Sequence, residues 1–250
     1  MVAKNKIRKA TYTLSLASTN MAAIELAKLL EYDGITIDLE HAPFNRESVD
    51  HMILLARQSG LKAFARVAAP SRIDIQMVLD SGADGVIIPH VENLKHAKEL
   101  SSYAKYPSSG DRSVPSGRTW SYSDPPIGWV VSENERVRCY PMIETAGALN
   151  DVEEILNLEN VDGVFLGPFD LNMSRGRNGV FGNGDEVDRE RIAKAAVDSG
   201  KDWGMYVYSE AEMAVARDLG LTFAALTDDI TALQQIMKHN ISEARRIIGR

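Results

Sequence analysis

Ionisable side chains stand at the ends of several apolar, β-branched runs in this sequence. In the clearest case, the apolar residues 34–37 lead directly into Asp38, Glu40 and His41. Charges at the end of a buried strand are costly unless they are paired or take part in chemistry. Other runs contain or lead to further residues of chemical interest: Arg66, His90, Glu144, Asp170, Tyr208, Asp228 and Asp229.

Two of these carboxylates have a spacing that suits a metal site. Glu144 and Asp170 are one strand–helix unit apart, so parallel strands would bring them to adjacent strand ends. Carboxylates without a cysteine or histidine cluster suit a hard, oxygen-preferring divalent cation such as Mg²⁺ or Mn²⁺. Both acids could equally be helix N-caps or solvated loop residues, and the spacing alone leaves these alternatives open.

Arg66 and the histidines offer charge stabilisation and proton transfer. Arg66 lies within the apolar run KAFARV, and a buried guanidinium needs an anionic partner. That partner could be a substrate carboxylate or enolate, or it could be the side chain of Asp38 or Glu40. His41 offers an acid–base group near neutral pH, although a strand-end histidine can also be structural. The same ambiguity applies to His90.

The elements that must position these residues alternate regularly along the chain. Strand-like runs occupy residues 11–17, 34–39, 62–67, 85–91, 137–144, 163–168, 203–208 and 223–228, with amphipathic segments between them. Near-continuous apolar runs are typical of parallel strands covered on both faces. About eight such units in 250 residues predict a (β/α)8 barrel, whose active site lies at the C-terminal strand ends. A doubly wound open sheet is the main alternative, but no glycine-rich phosphate loop follows any of these runs.

We expect a single domain over residues 1–250, with one interruption of the rhythm. Residues 107–135 are rich in Pro, Gly and Ser, and they predict a long loop that is either functional or disordered. The first helix is predicted to begin after an N-cap at Asn20.

Composition narrows the classes of partner and location. A formal net charge of −7 argues against nucleic acid as the main partner, because phosphate binding needs a basic face. No apolar run approaches the roughly 20 residues that span a bilayer, and the N-terminal residues do not read as a signal peptide. The single cysteine, Cys139, suits a reducing cytoplasm and is expected to be a packing residue. We therefore expect a cytoplasmic protein that binds neither nucleic acid nor membrane.

Several motifs together resemble one enzyme family. The segments DGITIDLEHAPF, ARV, LDSGADGVIIPHVEN, YPMIET and VDGVFLGPFDL are similar to those of the metal-dependent (class II) pyruvate aldolases of the HpcH/HpaI family. Members of this kind include 4-hydroxy-2-oxoheptanedioate and 2-dehydro-3-deoxyglucarate aldolases. The resemblance implies a (β/α)8 TIM barrel of the pyruvate/phosphoenolpyruvate-binding type. It also implies a homo-oligomer, often a hexamer built as a trimer of dimers, in which the C-terminal helix packs on a neighbouring subunit.

The resemblance also implies catalytic roles for individual residues. Glu144 and Asp170 match the metal ligands, and Arg66 matches the residue that holds pyruvate and stabilises its enolate. His41 matches the general base or its water-linked partner. Asp80 matches an aspartate, usually from an adjoining subunit, that raises the basicity of this histidine.

A second set of residues is implied to contact or support the substrate. Phe169 matches a position whose backbone amide touches the substrate, and Asp170 also borders it. Pro168 and Met142 belong to the same substrate-binding set. Asp38 is expected to support the site by orienting the histidine or a bound water.

The implied reaction joins or separates pyruvate and an aldehyde, with a 4-hydroxy-2-oxo acid as the larger partner. The expected cofactor is a divalent cation, Mg²⁺ first, with Mn²⁺ or Co²⁺ as alternatives. An enzyme of citrate-synthase type, or another that forms a carbon–carbon bond with oxaloacetate on the same site, is the alternative. A non-enzymatic descendant is a third hypothesis, against which the intact ligand and arginine positions argue.

Departures from the family pattern concentrate around the second substrate. Met142 stands where many members carry Gln, and Ser113 and Pro115 alter the GxRG loop. Tyr206 and Tyr208 add bulk where smaller residues are frequent. These differences predict an intact enolate site with a rebuilt pocket for the second substrate.

Overall fold

The computed structural model describes residues 9–177 and 185–249, and within them eight parallel strands close into a barrel. The strands pair in sequential order, and β8 pairs with β1. They are β1 (Thr11–Leu16), β2 (Gly34–Asp38), β3 (Lys62–Arg66), β4 (Gly85–Ile88), β5 (Arg138–Ile143), β6 (Gly163–Leu166), β7 (Asp202–Tyr206) and β8 (Phe223–Asp228). The predicted (β/α)8 barrel is confirmed. A doubly wound sheet would leave two open edges, whereas this sheet closes on itself.

Helices follow the strands on the outside of the barrel. In the described ranges they are α1 (Met21–Leu29), α2 (Arg46–Gln58), α3 (Arg72–Asp80), α4 (Leu94–Ser102), α5 (Trp129–Arg136), α6 (Ala146–Asn150), α7 (Val152–Leu156), α8 (Pro168–Ser174), α9 (Asp185–Ser199), α10 (Glu210–Asp218) and α11 (Asp229–Ala244). None of these helices has the combination of length and apolar character that crossing a bilayer requires. Residues 1–8, on which part of the signal-peptide interpretation rests, lie outside the described residues.

Side-chain caps determine where the helices begin. The predicted cap is confirmed, because the Asn20 side chain accepts a hydrogen bond from the backbone of Ala22 at 3.1 Å. Asn45 and Ser48 form a capping box at the start of α2. Such caps satisfy the free N–H groups of the first turn, and they let α1 and α2 start within a few residues of the preceding strand ends. The loops that connect these strand ends to the following helices are therefore short and well ordered, which fixes the positions of the side chains that they carry.

The barrel interior holds an aromatic core beneath the C-terminal strand ends. Phe64, Tyr140, Phe165 and Phe223 pack against one another there, with ring centroids 4.8–6.3 Å apart. Because strand side chains alternate, Arg66 points to the same side of β3 as Phe64 and lies above this core. The aromatic core excludes water from the barrel interior, so the charged residues at the C-terminal strand ends lie directly above apolar side chains.

The region predicted as a loop over residues 107–135 is partly helical. It contains a 3₁₀ turn at Arg118–Trp120 and ends in α5. Trp129 packs on Tyr106 and Trp120, with ring centroids 4.9 and 5.7 Å apart. The helix is eight residues long, buries only Trp129 and Glu133, and follows a Pro-, Gly- and Ser-rich segment, which is why the sequence predicts a loop here.

The C-terminal helix has an unusual environment. Helix α11 contains no buried residue, and it exposes a row of large apolar side chains: Ile230, Leu233, Ile236, Met237 and Ile241. Elsewhere on the surface, a groove of about 1240 Å³ lies over the outer face of β7 and β8. Val207, Ala224 and Leu226 contribute to its floor, and α9 and α10 contribute to its walls. The described residues of a single chain thus leave both an apolar helix and an apolar groove uncovered.

Candidate active site at the C-terminal mouth of the barrel

Asp38, the last residue of β2, organises the turn that carries His41. Its Oδ1 accepts the backbone N–H groups of Glu40 at 3.2 Å and of His41 at 3.3 Å. The turn directs the Glu40 side chain inward, where 7% of it is exposed, and leaves the His41 imidazole 63% exposed at the rim. The His41 Nε2 lies 3.7 Å from Oε2 of Glu40. Asp38 therefore supports His41 through the backbone of the turn.

Arg66 is held in place by two carboxylates. Its Nε and Nη2 donate to the two oxygens of Asp38 at 2.9 and 2.7 Å, and its Nη1 lies 3.1 Å from Oε2 of Glu40. Burial opposes the charged form, but the hydrogen bonds and negative charges raise the pKa of Arg66 above its ordinary value. The guanidinium is thus a fixed positive charge. The ion pair that the sequence left open as an alternative is present.

Glu40, His90 and Glu144 form a compact group beside Arg66. The Nε2 of His90 lies 2.8 Å from Oε1 of Glu40, and its Nδ1 lies 3.6 Å from Oε1 of Glu144. The backbone N–H of His90 donates to the same oxygen of Glu144. One donor atom from each of the three residues lies within 4.8 Å of the other two.

The carboxylates in this group lack enough positive charge to balance them. The side chain of Glu144 is 2% exposed, and burial, together with the negative charges of Glu40 and Asp170, raises its pKa. Oε2 of Glu40 is buried and forms no hydrogen bond among the described residues, although Nη1 of Arg66 lies 3.1 Å from it as an ion-pair partner. A divalent cation would satisfy both features, and two carboxylates with one imidazole are suitable ligands for it. The residues present therefore fit a metal site.

Gly167 gives Glu144 the space that it occupies. A Cβ at this position would lie 2.6 Å from Oε2 of Glu144 and 3.0 Å from Cε of Met142. Any larger residue would displace the carboxylate. The glycine between β6 and α8 is thus part of the construction of the site.

Asp170 lies in the first turn of α8, next to the group but outside it. Its negative charge acts on Glu144, but it is not one of the three residues whose donor atoms meet within 4.8 Å. Pro168 opens the same helix, and Phe169 is exposed at its first turn. Met142 is buried in the barrel interior. The metal-binding role of Asp170 and the substrate-binding roles of the other three stay predictions.

Asp80 lies elsewhere in the chain. It ends α3, at the opposite end of the barrel from His41, and there it accepts a hydrogen bond from Arg112 at 2.8 Å. One chain alone therefore does not bring Asp80 to the histidine. Its predicted role depends on an adjoining subunit.

Two tyrosines border Arg66 on the β7 side. The Cζ of Arg66 lies 5.9 Å from the ring centroid of Tyr206, whose hydroxyl is 3.3 Å from that of Ser15. The ring of Tyr208 lies parallel to Tyr206 at 5.8 Å and is half exposed. Burial raises the pKa of both phenols, that of Tyr208 to about 12, so both are neutral.

Two residues of the group, Glu40 and His90, are only weakly indicated by the sequence. Glu40 was expected only to pair with a basic neighbour, and His90 was an ambiguous strand-end histidine. Both stand just beyond the ends of alternate strands, β2 and β4, and alternate strands of a barrel contribute side chains to the same layer. That rule could have placed them together.

The fold and this mouth define a class: a parallel barrel with a buried carboxylate group and a fixed arginine at its catalytic end. Residues 11–234 match the sequence model of the HpcH/HpaI aldolase/citrate lyase family, and the chain belongs to that family.

Relatives and a solved structure agree with this assignment. The chain is 30% identical to the hydroxypyruvate/pyruvate aldolase of Rhizorhabdus wittichii over 222 residues, or 87% of each protein. It is also 30% identical to the 2-dehydro-3,6-dideoxy-6-sulfogluconate aldolase of Pseudomonas putida, over 87% of this chain and 86% of that enzyme. The crystal structure of an HpcH/HpaI aldolase from Desulfitobacterium hafniense DCB-2 has a TM-score of 0.89, with 25% identity and coverage of 96% and 94%. The predicted family and the predicted aldolase class are confirmed.

Proposed function

We propose that this chain is a class II aldolase that cleaves or forms a 4-hydroxy-2-oxo acid, with pyruvate and an aldehyde as the smaller partners. The observation that carries the proposal is the buried, carboxylate-rich group beside the fixed charge of Arg66. A 2-oxo acid has a carboxylate and a keto oxygen side by side, and it needs positive charge on both when its enolate forms. The relatives named as aldolases support the same reaction class.

A divalent cation belongs to this proposal. Glu144 and Asp170 would hold it, and Glu40 and His90 offer further donors nearby. When bound, the cation supplies Lewis-acid stabilisation of the charge that develops on the keto oxygen. The carboxylate donors taken alone favour Mg²⁺, with Mn²⁺ or Co²⁺ as alternatives.

Arg66 would bind the carboxylate of pyruvate and stabilise the enolate. Its bidentate pair with Asp38 fixes the guanidinium before substrate arrives, so little reorganisation is needed during the reaction. The apolar core beneath Arg66 excludes water, and the lower dielectric constant strengthens the electrostatic interactions of its charge. A lysine would supply charge without the planar, two-point contact.

His41 would handle the proton of the 4-hydroxyl group. Its imidazole stands exposed at the rim, where a substrate hydroxyl or an intervening water can reach it. Asp80 from an adjoining copy of this chain would orient the imidazole and raise its basicity. Asp38 supports the histidine from below, through the turn.

The aldehyde would bind on the side of Tyr206 and Tyr208. These rings form a wall beside Arg66, where their neutral hydroxyls can donate hydrogen bonds without adding charge. Phe169 would contribute its backbone amide, and Pro168 and Met142 would complete the substrate surface. Such a wall supports a choice of aldehyde different from that of relatives with smaller residues here.

We also propose a homo-oligomer, a hexamer arranged as a trimer of dimers, of single-domain chains spanning residues 1–250. The exposed apolar row on α11 and the groove over β7 and β8 are complementary in character, and each needs a cover. An exchange of α11 between two copies would cover both. An oligomer would also supply Asp80 to a neighbouring site. The buried, single Cys139 supports a cytoplasmic location.

Condensation assays with pyruvate and a panel of aldehydes test this function. The protein is first stripped with EDTA and then assayed with and without added Mg²⁺, Mn²⁺ or Co²⁺. We expect cation-dependent consumption of pyruvate with at least one hydroxyaldehyde or oxo-aldehyde. Full activity after complete metal removal would refute the proposal, and metal-dependent use of oxaloacetate with no aldehyde accepted would favour a citrate-synthase-like reaction.

A further inference from the structure

His90 has an unusual backbone conformation for the end of a strand. Its φ is +53°, in the left-handed region that residues other than glycine adopt uncommonly. The residue lies two positions beyond the end of β4, at the mouth of the barrel. Left-handed residues at functional sites persist when the surrounding contacts determine them.

These contacts involve both buried glutamates. The left-handed backbone directs the N–H of His90 to Oε1 of Glu144, and the imidazole Nε2 lies 2.8 Å from Oε1 of Glu40. Its Nδ1 faces Glu144 at 3.6 Å. His90 therefore contacts the carboxylates of both Glu40 and Glu144. One of its imidazole nitrogens faces the space between these two carboxylates.

A purely structural histidine would explain less of this arrangement. A hydrogen bond to Glu40 requires only one ring nitrogen and no unusual backbone. The observed conformation brings a nitrogen and two carboxylate oxygens within 4.8 Å of one another, which is close enough for one ion to contact all three.

We propose that His90 is a nitrogen ligand of the divalent cation, so that the site prefers a transition metal such as Co²⁺ or Mn²⁺ to Mg²⁺. The inference rests on the proposed function only in requiring that a cation binds at this mouth. Imidazole suits transition metals, whereas Mg²⁺ selects oxygen donors and retains water. The sequence favoured Mg²⁺ because it supplied two carboxylates and no nitrogen to the expected ligand set.

The alternative role for His90 is that of a charged or hydrogen-bonding partner of the two glutamates. In that role it would affect every divalent cation alike, since it would change only the charge or position of the carboxylates. As a ligand, it would affect Co²⁺ far more than Mg²⁺. The ratio of the two affinities therefore separates the two roles.

The test compares the full-length, metal-free wild type with His90→Asn. Asparagine removes the imidazole and tolerates a left-handed backbone, so the strand end is preserved. His51→Asn, on the exposed surface of α2, is the matched control for loss of a histidine. Calorimetric titration gives the Kd of Co²⁺ and of Mg²⁺ for each protein, and thermal unfolding verifies the fold.

We expect His90→Asn to raise the Kd of Co²⁺ by more than about tenfold, since loss of an outer-shell partner alone can cost that much. The Kd of Mg²⁺ should change by less than about threefold, because imidazole contributes little to Mg²⁺ binding. Pulsed EPR of the Mn²⁺-loaded wild type should show coupling to an imidazole nitrogen. That coupling should vanish in His90→Asn and persist in His51→Asn and in His41→Asn.

Equal losses for both cations would overturn the proposal, and so would nitrogen coupling that survives in His90→Asn. If the variant does not fold, His90→Gln replaces it in the same comparison. A wild type that binds none of these cations would overturn both this inference and the proposed function. A wild type with metal-dependent oxaloacetate decarboxylation, but an unchanged Co²⁺ to Mg²⁺ ratio in the variant, would overturn this inference alone.

Discussion

Glu133 and Glu144 are both buried glutamates, one at each end of the barrel, and their surroundings are opposite. Glu133 accepts hydrogen bonds from Nε and Nη2 of Arg136 at 2.8 and 2.9 Å, and Arg112 adds a second positive charge. Glu144 has two carboxylates and a histidine nearby. The pKa of Glu133 is lowered and that of Glu144 is raised.

The contrast between Glu133 and Glu144 separates buried charges that stabilise the fold from buried charges that we propose to act in the reaction. Among the described residues at the N-terminal end, the buried cations have carboxylate partners: Lys105 lies 3.0 Å from Asp162, and Arg112 lies 2.8 Å from Asp80. At the mouth the negative charges exceed the positive ones. A surplus of buried charge destabilises a protein unless something binds there, and the imbalance therefore supports the proposal that a cation and a substrate bind at the mouth.

The largest effect is expected from Glu144→Gln. The amide keeps the shape of the side chain but removes the charge that holds the cation. We expect activity to fall by at least about 10³-fold, beyond the loss of one oxyanion donor. Steady-state kinetics and cation titration measure it. Glu153→Gln, which alters an exposed pair with Arg191, is the matched control and should retain wild-type activity.

Arg66→Ala should have the next largest effect, and it should reach beyond activity. Loss of the fixed charge should cost about 2.7–4 kcal/mol of transition-state stabilisation, or roughly 10²–10³ in kcat. The variant should also unfold at a lower temperature, because Asp38 would be left buried without its partner. Kinetics and calorimetry on the same preparation test both effects. Wild-type turnover in this variant would remove Arg66 from the mechanism.

Glu133→Gln should lower the free energy of unfolding and leave kcat unchanged. Removing the charge leaves the partners of a buried hydrogen-bonded pair less satisfied, and the expected cost is about 1–3 kcal/mol. Denaturant unfolding measures the free energy, and the aldol assay measures kcat. If activity fell as much as stability, the division between the two ends would not hold.

The contribution of Glu133 should depend on pH in a defined direction. Burial acts to raise its pKa, but the hydrogen bond and charge of Arg136 outweigh burial and lower it below the ordinary 4.5. A carboxylate whose pKa is lower in the folded state than in the unfolded state contributes its full stabilisation at pH values above the unfolded-state pKa. That stabilisation is lost as the pH falls through the folded-state pKa. The stability difference between wild type and Glu133→Gln should therefore be constant near neutral pH and shrink in acid. A difference that grew in acid would contradict this sign.

The smallest effect is expected at Cys139. Burial, with the negative charge of Asp162, raises the pKa of its thiol to about 12, so almost no thiolate exists near neutral pH. We expect a thiol reagent to modify native protein very slowly, to modify unfolded protein rapidly, and to leave the native activity unchanged. Rapid modification of the native protein with loss of activity would indicate a catalytic thiol.

The fold could be predicted because its signal is repeated along the chain. Most of the strands are largely apolar, and most are followed by a helix with a side-chain cap, as residues 34–38 are followed by the capped helix α2. The helix at Trp129–Arg136 could not be predicted, because its contacts are to aromatic residues in the preceding loop and not to a periodic core.

The sequence could predict only those site residues whose side-chain direction is determined by their position at a strand end. Arg66 and Glu144 belong to or directly follow strands, so their direction follows from alternation. His90 and Glu40 lie in turns, where a single left-handed residue or one carboxylate–amide hydrogen bond decides the direction of the side chain. Asp80 shows a further limit, since its implied role requires a second chain.

The central claim is that this mouth forms the enolate of pyruvate with the help of a divalent cation and Arg66. Exchange of the methyl protons of pyruvate in D₂O, followed by NMR, tests it most directly because no aldehyde is needed. We expect exchange by the cation-loaded wild type, and none above background after EDTA treatment, in Glu144→Gln or in Arg66→Ala. Exchange that persists in fully metal-free protein, or in Glu144→Gln at the wild-type rate, would contradict it.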